Sequence, residues 1–68
     1  MTVYVNGDER TVSPGLTLAS LLSLLGQTAD GRGVAVALDG MVVPRTRWAT
    51  TALRDGARVE VIVAVQGG

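Results

Sequence analysis

The chain has 68 residues, room for one domain, and its six arginines and six acids leave it with no net charge. It contains no histidine and no cysteine, so it lacks the usual base at neutral pH, the thiol nucleophile and the common zinc ligands. A chain this small hides only about 60% of its unfolded surface. Its Val-, Leu- and Ala-rich core leaves little for a substrate pocket, which argues against a self-sufficient enzyme, and the acids show no metal-ligand spacing.

Thr2-Val3-Tyr4-Val5-Asn6 alternates polar and apolar residues, the pattern of a half-buried strand. Asn6-Gly7 suits the positive φ angles of a tight hairpin, and Glu9–Ser13 reads as the returning strand. Pro14-Gly15 ends the sheet pattern. Thr17 then offers a hydroxyl to cap a helix, and Leu18, Leu21, Leu22 and Leu25 fall on one face of it, with Leu24 half exposed off that face. Gly26 is placed to stop the helix in a left-handed conformation. Residues 27–33 form a polar loop whose Asp30-Gly31-Arg32-Gly33 neither follows a strand nor opens a helix, so a phosphate-binding loop has little support.

Val34–Leu38 is the third strand, turned by Asp39-Gly40, and Met41-Val42-Val43 is a short fourth before Pro44. Thr46–Ala49 suits one helical turn, with Trp48 packed inward over one end of the core. Asp55-Gly56 turns the chain into a last strand, Arg58–Val65, which leads to Gln66-Gly67-Gly68. The order predicts an α+β layer pair, one helix against one sheet, with the second sheet face bare. Strand alternation sends Val3, Val5, Val34, Val36, Leu38, Val59, Val61, Val63 and Val65 toward the helix. It leaves Tyr4, Ala35, Ala37, Ile62 and Ala64 on the bare face, a candidate docking surface with little charge toward the tail.

The division expected is a folded domain over residues 1–65 and a thin, flexible tail over 66–68. Two glycines have no Cβ, so such a tail can pass through a narrow channel and expose a carboxyl group. The absence of lysine has two readings, arginine used throughout in its place or the removal of amines that would attack an activated carboxyl. No basic and apolar leader opens the sequence, and the apolar runs at Leu16–Leu25 and Val61–Val65 fall short of the roughly 20 residues of a membrane span. A cytoplasmic location, with no membrane and no nucleic-acid partner, is expected from these features and the balanced charge.

Val36-Ala37-Leu38-Asp39-Gly40, Val43-Pro44-Arg45, Trp48, Leu53-Arg54-Asp55-Gly56, Val59-Glu60-Val61 and Gly67-Gly68 together resemble the thiamine-biosynthesis sulfur carrier proteins of the ThiS type. These are bacterial, ubiquitin-like β-grasp proteins of this length, and the resemblance spans the whole chain. Pro44, Arg45 and Trp48 favour this branch over the molybdopterin synthase small subunits, which share the fold and the Gly-Gly end. Asp39 stands where the family more often has Asn, and both favour turns.

The resemblance implies a β-grasp fold, one mixed sheet of four to five strands packed on one helix, in a protein that is a monomer when free. It implies a carrier and not an enzyme. An E1-like enzyme would use ATP to adenylate the carboxyl of Gly68, a persulfide donor would convert it to a thiocarboxylate, and thiazole synthase would take the sulfur for the thiazole ring of thiamine. No cofactor or metal would be bound by the carrier itself. Gly67 would let the tip lie extended in both enzymes, and Gln66 would be an anchoring contact or a solvated spacer. Trp48 has a packing role, whereas Arg45 stays open between a surface ion pair and a partner contact. The alternatives are sulfur delivery to molybdopterin or another sulfur pathway, a protein modifier joined to lysines, and a small S4-like RNA-binding module suggested by Val36–Gly40 with Asp55-Gly56. A neutral chain offers the last of these no basic helical surface.

Overall fold

A computed structural model describes residues 1–26 and 33–63. They build a mixed five-stranded sheet with one α-helix on one face, in the order β2-β1-β5-β3-β4. β1 (Thr2–Val5) pairs antiparallel with β2 (Asp8–Thr11) through the turn at Asn6-Gly7. α1 (Leu18–Leu24) follows, then β3 (Val34–Leu38) and β4 (Met41–Val42), joined antiparallel through Asp39-Gly40. A 3-10 helix (Arg45–Thr50) precedes β5 (Arg58–Val63), which takes the centre of the sheet, parallel to β1 and antiparallel to β3. β2 ends two residues before the expected Ser13, and the helical turn around Trp48 is longer than Thr46–Ala49. The expected loop over residues 27–33 lies outside the described residues except for Gly33.

α1 has seven residues, too few to stand alone in water. Its ends and its buried stripe hold it. The Thr17 hydroxyl accepts from the Ser20 N–H at 3.2 Å, and Gly26 takes φ +80° just past the last turn, as the sequence predicts. Leu18, Leu21 and Leu22 are buried against Val3, Val5, Val36 and Val59 of the sheet, while Leu25 packs at the margin and Leu24 is exposed, 68% of its surface open. Each fully buried leucine contributes about 1.5–3 kcal/mol of transfer free energy, so this stripe outweighs the weak propensity of so short a helix. The N–H of Leu18 donates to the Thr51 carbonyl and that of Leu53 to the Leu16 carbonyl, which ties the start of α1 to the segment after the 3-10 helix.

Trp48 closes one end of the core, buried to 5% exposure, and its indole N–H donates to the Val43 carbonyl at 2.8 Å. A buried indole needs such an acceptor, because an unpartnered N–H away from water costs more than a good bond contributes. Among the described residues no buried side-chain nitrogen or oxygen lacks a hydrogen-bond partner. No helix among them is long and apolar enough to cross a membrane.

Candidate functional site: the bare sheet face and the course of β5

The cross-strand register sets which side chains share the face away from α1. Ala35 is opposite Ile62, Ala37 is opposite both Glu60 and Val42, and Tyr4 is opposite both Glu9 and Arg58. Tyr4, Ala35, Ala37 and Ile62 therefore lie on one face, as strand alternation predicts. Ala64, assigned to the same face from sequence, lies outside the described residues, and so does β5 beyond Val63. Ala35 is exposed and Ile62 leaves 64% of its surface open, while Ala37 and Tyr4 are half-buried.

The Arg58 guanidinium sits 5.5 Å from the centre of the Tyr4 ring, within range of a cation–π contact. The face thus has an apolar half, made of Ala35, Ala37, Ile62 and Val42, beside a polar half carrying Arg58, Glu60 and Glu9. Val42, 76% exposed, was not among the residues assigned to this face from sequence. Its pairing with Ala37 puts it there, and the available signal was the two-residue Asp39-Gly40 turn, which sets Leu38 opposite Met41 and so Ala37 opposite Val42.

One inward residue behaves differently from its expectation. Val63 was assigned toward the helix, yet it is 51% exposed. It borders a shallow concavity with Leu25, Val61, Val5, Asp8 and Arg10. α1 ends at Leu24, and among the described residues no further helical turn lies over Val63.

β5 is held from both flanks. On the β3 side, Val34 to Leu38 register with Val63 back to Val59. On the β1 side the N–H groups of Tyr4 and Asn6 donate to the carbonyls of Ala57 and Val59, each at 2.9 Å. The Asn6 side chain then continues where β1 has ended. Its Oδ1 accepts from the Val61 N–H at 2.8 Å and its Nδ2 donates to the Val61 carbonyl at 3.2 Å. At the opposite end, the Asp39 N–H donates to the Arg58 carbonyl at 2.8 Å and Asp39 Oδ1 accepts from the Arg58 N–H at 3.0 Å. Sequence reasoning saw Asn6 and Asp39 only as turn formers.

The remaining residues singled out from sequence do not gather at this face. Pro44 caps the 3-10 helix at its start, and Arg45 and Trp48 belong to that helix, with Arg45 exposed. Gln66, Gly67 and Gly68 lie outside the described residues.

A model of the ThiS family matches residues 3–68 of the chain. A thiazole synthase from Paramagnetospirillum magneticum is 37% identical over 68 residues, all of this chain and 20% of that protein. The chain therefore spans about a fifth of the length of the curated relative it matches. A crystal structure of a thiamine biosynthesis protein (ThiS) from Geobacter metallireducens is similar with a TM-score of 0.82 and 36% identity, all of both chains being covered. An NMR solution structure of a thiamine biosynthesis protein from the same organism also gives a TM-score of 0.82, at 34% identity, covering all of this chain and 88% of that one.

Proposed function

The chain belongs to the ThiS family, and on that premise we propose that it carries sulfur for thiamine biosynthesis on the carboxyl group of Gly68. The observation that carries this reading is the extent of the family match, which runs through Gly67-Gly68 and is not confined to the sheet and helix.

The chemistry starts from an unreactive group. An α-carboxyl with a pKa of roughly 3.3–3.7 is an anion at neutral pH and repels nucleophiles. An activating enzyme of the E1 type overcomes this with ATP. A Gly68 carboxylate oxygen attacks the α-phosphorus, pyrophosphate leaves, and an acyl-adenylate forms. The terminal sulfur of a persulfide then attacks the carbonyl carbon and AMP departs. A thiol splits the remaining S–S bond, leaving a thiocarboxylate on Gly68 and a disulfide on the donor side. That thiocarboxylate is the nucleophile that thiazole synthase consumes. The whole-chain similarity to part of a thiazole synthase supports this choice of acceptor.

The chain itself has neither His nor Cys to run these steps, so its part is recognition and delivery. The apolar half of the bare face, Ala35, Ala37, Val42 and Ile62, is the surface offered to the enzymes, with Tyr4 and Arg58 at its border. Gly67 adds no side chain to a thread that must fit two active sites.

The test is intact-mass measurement of the protein from its own cells, joined to charging with ATP and the matching activating enzyme. A species with one oxygen of Gly68 replaced by sulfur, and loss of the acyl-adenylate when Gly68 is deleted, are the expected results. Charging that survives the deletion would defeat the proposal.

A further inference from the structure

β5 outruns its neighbour on one flank. β1 stops at Val5 and the chain swings away through Asn6-Gly7, while β5 continues to Val63. The next rung on that flank is made by a side chain. The Asn6 carboxamide meets both the N–H and the carbonyl of Val61, at 2.8 and 3.2 Å, across 55 positions of sequence. A carboxamide carries the same donor and acceptor as a peptide unit, so it substitutes for one residue of strand.

We infer that Asn6 is a positioning residue, which prolongs the ladder beside β5 and thereby fixes the line of β5 up to Val63, the last described residue before the tail. Without it, β5 beyond Val59 would be paired on the β3 flank alone, where Val34 and Ala35 register with Val63 and Ile62. The kinetic consequence rests on the carrier reading; the structural one does not. A docked carrier is productive only in the fraction of molecules whose thread points into the active site. Lowering that fraction weakens apparent affinity in proportion. The loss therefore falls on KM for the carrier and spares kcat.

The experiment compares wild type, Asn6→Gly, Asn6→Asp and Asp39→Gly by amide hydrogen exchange and by steady-state charging with ATP and the activating enzyme. Glycine accepts the positive φ at either turn, so both glycine variants keep their hairpin. Asn6→Gly is expected to speed exchange at Val61 about fivefold or more. It should raise KM for the carrier by roughly three- to tenfold, with kcat within about twofold of wild type. Asn6→Asp keeps the acceptor for the Val61 N–H but not the donor to its carbonyl, and should fall between. Asp39→Gly frees the Arg58 N–H at the other end of β5 while keeping the main-chain bond to the Arg58 carbonyl, and should leave KM unchanged.

Unchanged exchange at Val61 in Asn6→Gly would overturn the inference, as would faster exchange with a wild-type KM. So would an equal KM rise in Asp39→Gly, because that pattern reports general stability and not the line of β5. If even wild type cannot be charged, the carrier reading fails, and the exchange comparison still decides whether Asn6 holds β5.

Discussion

Asn6-Gly7 and Asp39-Gly40 are the same two-residue turn, with φ angles of 51° and 86° in the first and 49° and 86° in the second. Both glycines have open space around a hypothetical Cβ, so backbone angle and not crowding selects glycine there. The turns sit at opposite ends of the sheet on opposite flanks of β5, and their first side chains meet different needs. At Asp39 the main-chain N–H already satisfies the Arg58 carbonyl, so only the Arg58 N–H remains and an acceptor suffices. At Asn6 the main-chain N–H is spent on the Val59 carbonyl, and Val61 still presents both a donor and an acceptor. Only a side chain with both, as in Asn, can meet them. The same backbone therefore tolerates Asp at one end and demands Asn at the other.

The largest expected effect comes from destroying the more demanding turn. Asn6→Ala removes both bonds to Val61 and forces a residue with a Cβ and no compensating polar group to hold φ near +51°. The loss should be about 2–3 kcal/mol, read from denaturant unfolding. A sharper test exchanges the two side chains. Asn6→Asp should cost about 1 kcal/mol, because the carboxylate cannot donate to the Val61 carbonyl and water meets this exposed acceptor only in part. Asp39→Asn should stay within about 0.5 kcal/mol, since the acceptor for Arg58 is kept. Equal costs in the two exchanges would show that the turns are interchangeable and the comparison empty. The smallest effect belongs to the Arg54–Asp39 ion pair, 3.8 Å apart with the arginine side chain 86% exposed. Arg54→Ala should change stability by less than about 0.5 kcal/mol, with little dependence on added salt.

These turns also mark where sequence reading reaches its limit. Asn-Gly and Asp-Gly between alternating runs announced both hairpins, Thr17 announced the helix start, and the bounds of β3 came out as Val34–Leu38, because each is a local pattern. The resemblance supplied the β-grasp arrangement, and the order β2-β1-β5-β3-β4 agrees with it. What stayed hidden is non-local. The bond from Asn6 to Val61 joins residues far apart in the chain, and no window of sequence displays it. Val63 lies on the helix side of β5, as alternation predicts, but alternation tells which way a side chain points and not how much of it is covered. Val42 was missed because a two-residue strand is too short to show a period.

The parallel alignment of β1 and β5 has a practical corollary for anyone handling the molecule. Thr2 meets Asp55 and Gly56 where β5 is about to begin, so Met1 and the end of β5 at Val63 occupy opposite poles. A fluorophore, affinity handle or bead attached at the amino terminus would sacrifice the ammonium bond to Val12. It would stand at the far side of the described body from Val63, away from the end of β5.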